Sequence, residues 1–328
     1  WKSTLEADAV LLAGVLKANT VLQSISFDEL REDSKELMGH ALLANPSSRV
    51  GLCDAYNLKL GSTAAVYELN AKNKEPSKDV VRSVKSFVLL CGILRGNKSL
   101  ISLTLKGLKM QSVAVLARAL RGNSSLQNLT LEFEGENKKG TNSDVTLKVR
   151  QVTGRQPVRK LDLTDGMAGP LNAVTCMLIG LLMAENQSTE YLKINPGAGS
   201  EGGKIFESLH AAKSSALRTV DLSGAGLSDR GAPMIFASLN AGCCPMLTCL
   251  KLASNDLRDR PLDQLVEHLQ SEQCSLTSLD LSTNHLSGRR FRELLNYNRT
   301  LRHLDIRGQD EGAADDDTWA MLGAMLLK

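Results

Sequence analysis

Apolar residues recur along the chain in short runs of the form LxxLxL, each followed by a polar bend and a stretch of helical spacing. The clearest run is LTSLDLSTNHL, residues 276–286, in which leucines fill the apolar positions and Asn284 is the single polar residue of the buried type. Alternation of apolar and polar residues is typical of a half-buried strand. Each run therefore predicts a short strand that ends in a tight bend.

The same pattern begins six times in the second half of the chain, at Val158, Thr189, Leu217, Leu247, Leu276 and Leu301, in steps of 31, 28, 30, 29 and 25 residues. Each interval carries a helix-like run, for example 229–241, 259–271 and 288–296. Because parallel strands need a crossover of about a dozen residues or more, the intervals predict parallel pairing. The predicted strands are 161–163, 191–194, 219–222, 249–252, 278–281 and 303–306, with Leu279 and Leu281 facing the core.

The first half follows the pattern less regularly. Helical spacing predicts helices at 5–18, 32–44, 79–95 and 111–121, with strands such as Leu22–Phe27 between them. Residues 60–78 are irregular, although AVYELN is compatible with a strand. Residues 133–157 interrupt the repeat with Gly, Asn and Lys clusters and one alternating piece, Val145–Val149, which predicts a loop or hairpin in place of a helix. We expect one repeat domain over 1–328.

A repeat of this length indicates a chain of stacked units that share one continuous core. The pattern LxxLxL…(N)xL resembles leucine-rich repeats, and the long period with a helix in every unit is similar to the ribonuclease-inhibitor-like class. That class includes ribonuclease inhibitors, Ran GTPase-activating proteins and the sensor halves of innate immune receptors. The resemblance covers almost the whole chain and is strongest over 158–311. It implies an α/β solenoid, a horseshoe with a parallel sheet on the concave face and helices on the convex face.

Composition narrows the function classes. The 39 basic and 36 acidic residues give a net charge of +3, which provides no electrostatic footprint for nucleic acid or an anionic membrane. No apolar stretch is long enough to span a bilayer. Seven scattered cysteines favour a reducing compartment, which we take to be the cytoplasm. The chain begins at Trp1 within a helix-like run, so we expect a fragment of a longer chain.

One glycine motif resembles a cofactor site. Gly197, Gly199 and Gly202 form GxGxxG between a strand and a helix, and Asp221 follows the next strand, as in a dinucleotide fingerprint. The repeat register favours a different interpretation, in which Gly203 aligns with Gly231 as a turn residue. Asp221 then aligns with the acidic residues that end the other strands. We expect no cofactor.

Other candidate sites also have structural interpretations that we favour. Sequons at Asn97, Asn123, Asn128, Asn186 and Asn298 mostly end helices, where Asn tolerates the left-handed conformation. The cysteines at 243, 244, 249 and 274 lack a CxxC pair, so no metal site is expected. The acidic run 315–317 suits a helix N-terminus, before an apolar helix, 318–328, that we expect to be covered by further chain or by a partner. No residue set indicates nucleophilic catalysis.

Residues between the inward leucines alternate in charge across the predicted sheet. In repeat order they are Asp162, Lys193, Asp221, Lys251, Asp280 and Asp305, flanked by Arg159, Lys160, Tyr191, Arg218, Arg302, His303 and Arg307. Two interpretations stay open: a self-neutralised surface, or a concave face patterned for a charged partner. The adjacent like charges of Asp280 and Asp305 predict that a partner supplies a basic group there, with His303 and Arg307 at the same contact.

The leading hypothesis is a non-enzymatic scaffold that binds a protein partner through this concave face. Two alternatives remain open. One is a GTPase-activating protein of the Ran type, for which no motif transfers residue by residue, so it rests on fold analogy. The other is a structural subunit of a large assembly.

Overall fold

Strands and helices alternate along the chain, as the apolar pattern predicts. The computed structural model describes residues 4–25, 30–53, 65–68, 84–133, 144–164, 171–194, 198–209 and 216–310. The chain divides into two units, residues 1–155 and 156–328, which we call the N-terminal unit and the C-terminal unit. Both have α/β architecture with parallel strands.

The described part of the N-terminal unit contains five helices: α1 (Thr4–Ala18), α2 (Glu32–Ala44), α3 (Val84–Gly96), α4 (Met110–Gly122) and the single turn α5 (Val149–Val152). Its strands are β1 (Ser24–Ile25), β2 (Leu52–Cys53), β3 (Ala65–Glu68), β4 (Ser102–Lys106), β5 (Asn128–Glu132) and β6 (Val145–Lys148). Strand β1 pairs with β2 in parallel, and β3, β4 and β5 form a parallel sheet that β6 extends.

The interruption of the repeat near 133–157 contains an antiparallel strand. Strand β6 pairs antiparallel with β5, with Thr146 opposite Thr130. Of the two predicted alternatives, a loop or a hairpin, this pairing fits the hairpin, and residues 134–143 between the strands lie outside the described residues. The sequence did not predict α5, which follows β6 directly. The strand expected in AVYELN is β3, whereas residues 69–83, which include the start of the helix predicted at 79–95, lie outside the described residues.

The C-terminal unit contains a six-stranded sheet: β7 (Lys160–Asp162), β8 (Tyr191–Lys193), β9 (Thr219–Asp221), β10 (Cys249–Lys251), β11 (Ser278–Asp280) and β12 (His303–Asp305). The strands lie side by side in chain order, and every pair is parallel. The intervening helices are α6 (Ala173–Met183), α7 (Gly203–Leu209), α8 (Ser228–Asn240), α9 (Asp263–Gln270) and α10 (Gly288–Tyr297), with 3-10 turns at Gly199–Gly202 and Arg260–Leu262. Parallel pairing of the predicted strands is confirmed.

The middle residues of β7–β11 are buried in the core, and that of β12, Leu304, is half-buried at the edge of the sheet. Leu250 and Leu279 are at most 1% exposed, and Leu281, just after β11, is fully buried. The predicted inward register of Leu279 and Leu281 is therefore confirmed. Each such leucine contributes on the order of 1.5–3 kcal/mol through burial.

Glycines let neighbouring helices of the C-terminal unit approach closely. A Cβ on Gly203 would lie 2.6 Å from the carbonyl oxygen of Gly231, and one on Gly231 would lie 2.8 Å from that of Ser200. Gly203 begins α7, and Gly231 lies within α8. The two glycines do align, but their prediction as turn residues is wrong, because both serve helix packing.

Asn284 joins neighbouring repeats at the end of β11. Its side-chain oxygen accepts hydrogen bonds from the backbone N–H groups of Asn255 (3.0 Å) and Leu257 (3.1 Å), and its amide donates to the carbonyls of Leu252 (3.0 Å) and Leu281 (2.9 Å). The side chain is 2% exposed. These contacts satisfy backbone groups at the end of the strand, where the sheet no longer pairs them.

The sequon asparagines also have structural roles, although not through the predicted conformation. Asn123 and Asn298 cap α4 and α10 with φ of −79° and −73°, so the left-handed prediction is wrong there. The Asn123 amide instead donates to the carbonyls of Leu94 (2.6 Å) and Asn97 (2.8 Å). Asn97, Asn123 and Asn186 are buried, which favours the structural interpretation of these sequons.

Among the helices that the structure describes, none is long and apolar enough to cross a membrane. The predicted helix 318–328 and the acidic run 315–317 lie outside the described residues, and so does Gly197 of the glycine motif.

Candidate functional site

A row of charged side chains crosses the six-stranded sheet, one from the last residue of each strand. In register across the sheet, the row consists of Asp162, Lys193, Asp221, Lys251, Asp280 and Asp305. The register is the one predicted from the repeat. It follows because the inward leucine of each strand fixes which neighbours point to the opposite face. We call these six residues the charged row.

A second row shares this face, two residues earlier in each strand. Its members are Lys160, Tyr191, Thr219, Cys249, Ser278 and His303. Residues at i and i+2 of a strand lie on the same side of a sheet. Thr219, Cys249 and Ser278 were not among the predicted contact residues, although their position two residues before the charged row could have identified them.

The acids of the charged row bind their own turns. Each carboxylate accepts a hydrogen bond from the backbone N–H two residues later, which closes the bend after the strand. The donors are Thr164 (3.0 Å), Ser223 (3.1 Å), Ser282 (3.0 Å) and Arg307 (3.1 Å). These acids are therefore structural residues, a role that the Asp-x-Ser/Thr spacing could have indicated.

Hydroxyl groups strengthen two of these turns. The Thr164 hydroxyl donates to Asp162 at 2.5 Å, and the Ser282 hydroxyl donates to Asp280 at 2.7 Å. Burial opposes ionisation of Asp162, but the hydrogen bonds from Thr164 and the charges of Lys193 and Lys160 together lower the pKa of its carboxyl. Both carboxylates thus have donors within their own repeat.

Tyr191 engages the third acid. Its hydroxyl donates to the Asp221 carboxylate at 3.0 Å, and the Lys160 ammonium lies 5.1 Å from the centroid of its ring. Burial, together with the hydrogen bond to Asp221, raises the pKa of Tyr191 to about 12. The phenol is therefore a neutral donor at physiological pH, which suits a binding surface.

Arg307 changes the interpretation of the adjacent like charges. Asp280 and Asp305 are paired in register, as predicted. However, the Arg307 guanidinium makes two contacts with Asp305, Nε to Oδ1 at 2.9 Å and Nη2 to Oδ2 at 2.5 Å, and it lowers the pKa of that carboxyl. Asp305 thus has a cation from its own chain, which weakens the expectation that a partner supplies a basic group at this pair.

Four cations of this face stay without an acidic neighbour at ion-pair distance. Within the described residues, no carboxylate oxygen lies within 4.0 Å of the charged nitrogens of Lys193, Arg218, Lys251 or Arg302. Arg159, by contrast, lies 3.8 Å from Glu190. The face therefore carries engaged acids and available cations.

The end of the face at β10–β12 forms a groove of about 660 Å³. Six of the predicted contact residues line it: Lys251, Asp280, Arg302, His303, Asp305 and Arg307. The other six, Arg159, Asp162, Tyr191, Lys193, Arg218 and Asp221, lie on or beside β7–β9 and outside this groove. The groove is open and polar-rimmed, which suits a protein segment better than an enclosed small molecule.

The glycine motif and the cysteines have structural explanations. Residues 199–202 form a 3-10 turn, with Gly199 at φ +59°, and Gly203 packs against α8. The sulfur atoms of Cys243 and Cys244 lie 3.4 Å apart, and both thiols are buried. In the part of the chain that the structure describes, no three His, Cys, Asp or Glu side chains come together as metal ligands.

A leucine-rich-repeat family model matches residues 243–260, which span the segment between α8 and β10, β10 itself and the bend after it. No curated protein matches the chain. Among solved structures, a protein from Bacteroides fragilis is similar over 93% of this chain and 83% of its own, at 14% sequence identity and a TM-score of 0.34. A likeness at that TM-score supports no inference about function.

Proposed function

We propose that this chain is a non-enzymatic leucine-rich-repeat module that binds another protein through the face of its six-stranded sheet. In this proposal the sheet forms the concave side of a horseshoe-shaped solenoid, and the helices form the convex side. The leucine-rich-repeat match at 243–260 supports a role in protein interaction. On the scattered cysteines of the sequence, we further place the protein in the cytoplasm.

One observation carries the proposal. The face of β7–β12 presents two continuous rows of polar side chains, and it ends in an open groove of about 660 Å³. The acids of the charged row are held by their own turns, while four cations lack an ion-pair partner among the described residues. The acids of this surface are satisfied within the chain, and its cations are available to a partner. The face is therefore in part self-neutralised and in part patterned for a charged partner, so the two interpretations of the alternating row are compatible.

Site-specific photocrosslinking tests the proposal. Benzoylphenylalanine replaces Ser278 or Thr219 on the face, and a control variant carries it at exposed Gln270, the last residue of α9. In extract of the source cells, we expect the same discrete protein to crosslink from Ser278 and Thr219. Crosslinking from Gln270 alone, or equally from all three positions, would show that the face is not the binding surface.

A further inference from the structure

The groove at β10–β12 holds acids that are already engaged and cations that are not. Asp280 accepts from both the N–H (3.0 Å) and the hydroxyl (2.7 Å) of Ser282, and Asp305 is bound by the Arg307 guanidinium. Lys251 and Arg302 line the same groove with no ion pair within 4.0 Å among the described residues. Both Ser282 donors reach Oδ1 of Asp280. An incoming acidic group would therefore find two cations without an ion pair in the described part of the chain, whereas an incoming basic group would meet Oδ2 of Asp280 or compete with Arg307 for Asp305.

The spacing of these cations limits what can bind. Lys251 lies on β10 and Arg302 precedes β12, so they stand two strands apart. Arg302 is also three residues earlier in register, because Lys251 aligns with Asp305, so their backbones lie about 14 Å apart for a strand separation of about 4.8 Å and a rise of about 3.3 Å per residue. An extended peptide covers about 13 Å in four residues, and side chains four residues apart lie on the same side of it. Carboxylates at every fourth position of such a peptide match this spacing.

The acids between the cations disfavour a nucleic acid. Asp221 and Asp280 stand on either side of Lys251 in the charged row. A nucleic-acid strand carries a charge about every 3.4 Å, so several of its phosphates would face these carboxylates. A peptide with spaced acidic residues can place its carboxylates at the cations and place neutral residues opposite Asp221 and Asp280. The alternation selects a protein segment rather than a uniform polyanion.

From these contacts we propose that the groove takes an acidic segment of a protein partner, with carboxylates about 13 Å apart that pair with Lys251 and Arg302. This inference rests on the proposed function and specifies its ligand. It reverses the expectation drawn from the sequence, in which the partner supplied a basic group. The reason for the reversal is Arg307, which already neutralises Asp305.

Labelled peptides test the proposal. One fluorescein-labelled peptide carries glutamate at every fourth position with glycine and serine between, a second has glutamine in place of each glutamate, and a third has the same glutamates in one continuous block. A single-stranded DNA oligonucleotide is the fourth probe. We measure binding by fluorescence anisotropy at low and high NaCl. We expect the spaced-glutamate peptide to bind tightest and to weaken with salt.

Charge reversal locates the binding site. The variant Lys251→Glu/Arg302→Glu should lose about tenfold or more of its affinity for the spaced-glutamate peptide, and it should gain affinity for the equivalent lysine peptide. The matched control is Arg230→Glu, an exposed arginine of α8 on the helical layer, and it should leave the affinity unchanged. A loss of stability alone would weaken the binding of both peptides, so a gain in affinity for the lysine peptide shows that the charge reversal acts at the binding site.

Three results would overturn this inference. They are equal binding of the glutamate and glutamine peptides, tighter binding of the continuous block or the DNA, and equal losses in the Arg230 control. Each of these leaves photocrosslinking at Ser278 and Thr219 as a separate test. Crosslinks there with no acidic preference would keep the proposed function and reject only the ligand. Loss of those crosslinks would reject the proposed function itself.

Discussion

In the sheet of each unit, a lysine lies in register opposite an acidic residue of the next strand. Of these two pairs, only the one in the N-terminal unit forms a salt bridge. In the N-terminal unit, Lys106 on β4 lies opposite Glu132 on β5, and their charged atoms are 3.0 Å apart. In the C-terminal unit, Lys251 lies opposite Asp280, but no carboxylate comes within 4.0 Å of its ammonium among the described residues. The difference comes from Ser282, which holds the shorter Asp280 side chain in its own turn.

Hydroxyl pairs add to this contrast. On the N-terminal face, the Thr130 and Thr146 hydroxyls lie 3.0 Å apart across β5 and β6. The C-terminal face has Tyr191 bound to Asp221 and Arg307 bound to Asp305, which engage the acids and not the remaining cations. The acids of the C-terminal row are thus bound by donors of the turns and of Tyr191, and not by the lysines of the charged row.

The largest effect is expected in the core, where the two units should behave alike. Leu129→Ala and Leu279→Ala each remove a buried side chain from the middle of a strand, and each should cost about 2–5 kcal/mol through lost burial and a residual cavity. Ser278→Ala, beside Leu279 but on the open face, should cost less than about 0.5 kcal/mol. Urea unfolding measures all three. Equal losses at Leu279 and Ser278 would show that the strand register is wrong.

A pH-dependent contribution is expected from the turns of the C-terminal unit. His285 lies between Asp310 (Nδ1 to Oδ1, 2.8 Å) and Asp256 (Nε2 to Oδ1, 3.5 Å), and the hydrogen bond to Asp310 is the main reason that its pKa is raised above 6.5. Because the folded protein binds this proton more tightly, the stabilisation is complete below pH 6.5 and is lost as pH rises through the raised pKa.

Urea unfolding of the wild type and His285→Gln at several pH values measures this contribution. The stability difference between the two proteins should be largest near pH 5.5 and should shrink towards pH 8.5, a range of about one to two units around the histidine pKa. The variant Asp310→Asn should show the same pH profile as His285→Gln. A difference that is constant with pH would contradict the contact between these turns.

The smallest effect concerns the two lysines of the comparison. Lys106→Gln breaks a closed pair and should cost up to about 1 kcal/mol, since the pair is partly exposed and screened. Lys251→Gln breaks no ion pair at that distance, so its stability should stay within about 0.5 kcal/mol of the wild type. Thermal melting of both variants at low and high salt provides the measurement. A larger loss at Lys251 would mean that its charge is already engaged.

The sequence predicted the strands and their register because the leucine positions constrain both. Placing Leu279 inward necessarily places Ser278 and Asp280 outward, and the repeat aligns them with the neighbouring strands. The role of Gly203 in helix packing could not be predicted in this way, because the sequence does not distinguish a glycine in a turn from a glycine at a contact between helices. The close approach to Gly231 depends on how two helices meet.

Side-chain pairing was the least predictable property of the site. Whether Asp305 lacks a partner or binds Arg307 depends on the rotamers of two residues separated by one position, which no apolar pattern constrains. The same holds for Asn123, whose amide reaches Leu94 and Asn97 in the preceding repeat with ordinary backbone angles. The sequence therefore predicted which residues lie side by side on the sheet, but not which of their side chains bind one another.

Blocking each face in turn tests the central claim most directly. Cys249 lies on the C-terminal face and is partly exposed, whereas Cys91, Cys176, Cys243, Cys244 and Cys274 are buried. Burial raises the pKa of Cys176 to about 12, which further slows its reaction. Both proteins of this experiment carry Cys53→Ser, so that Cys53 cannot react. A bulky maleimide should therefore attach at Cys249, as peptide mass spectrometry can verify. The matched protein is Cys249→Ser/Thr104→Cys, which carries the same adduct on the N-terminal face.

The measurement is the affinity of each adduct for the protein that crosslinks at Ser278. The adduct at Cys249 should abolish binding, and the adduct at position 104 should leave it unchanged. If the adduct at position 104 abolished binding and the one at Cys249 did not, the binding surface would lie on the N-terminal face, which would contradict binding through the six-stranded sheet.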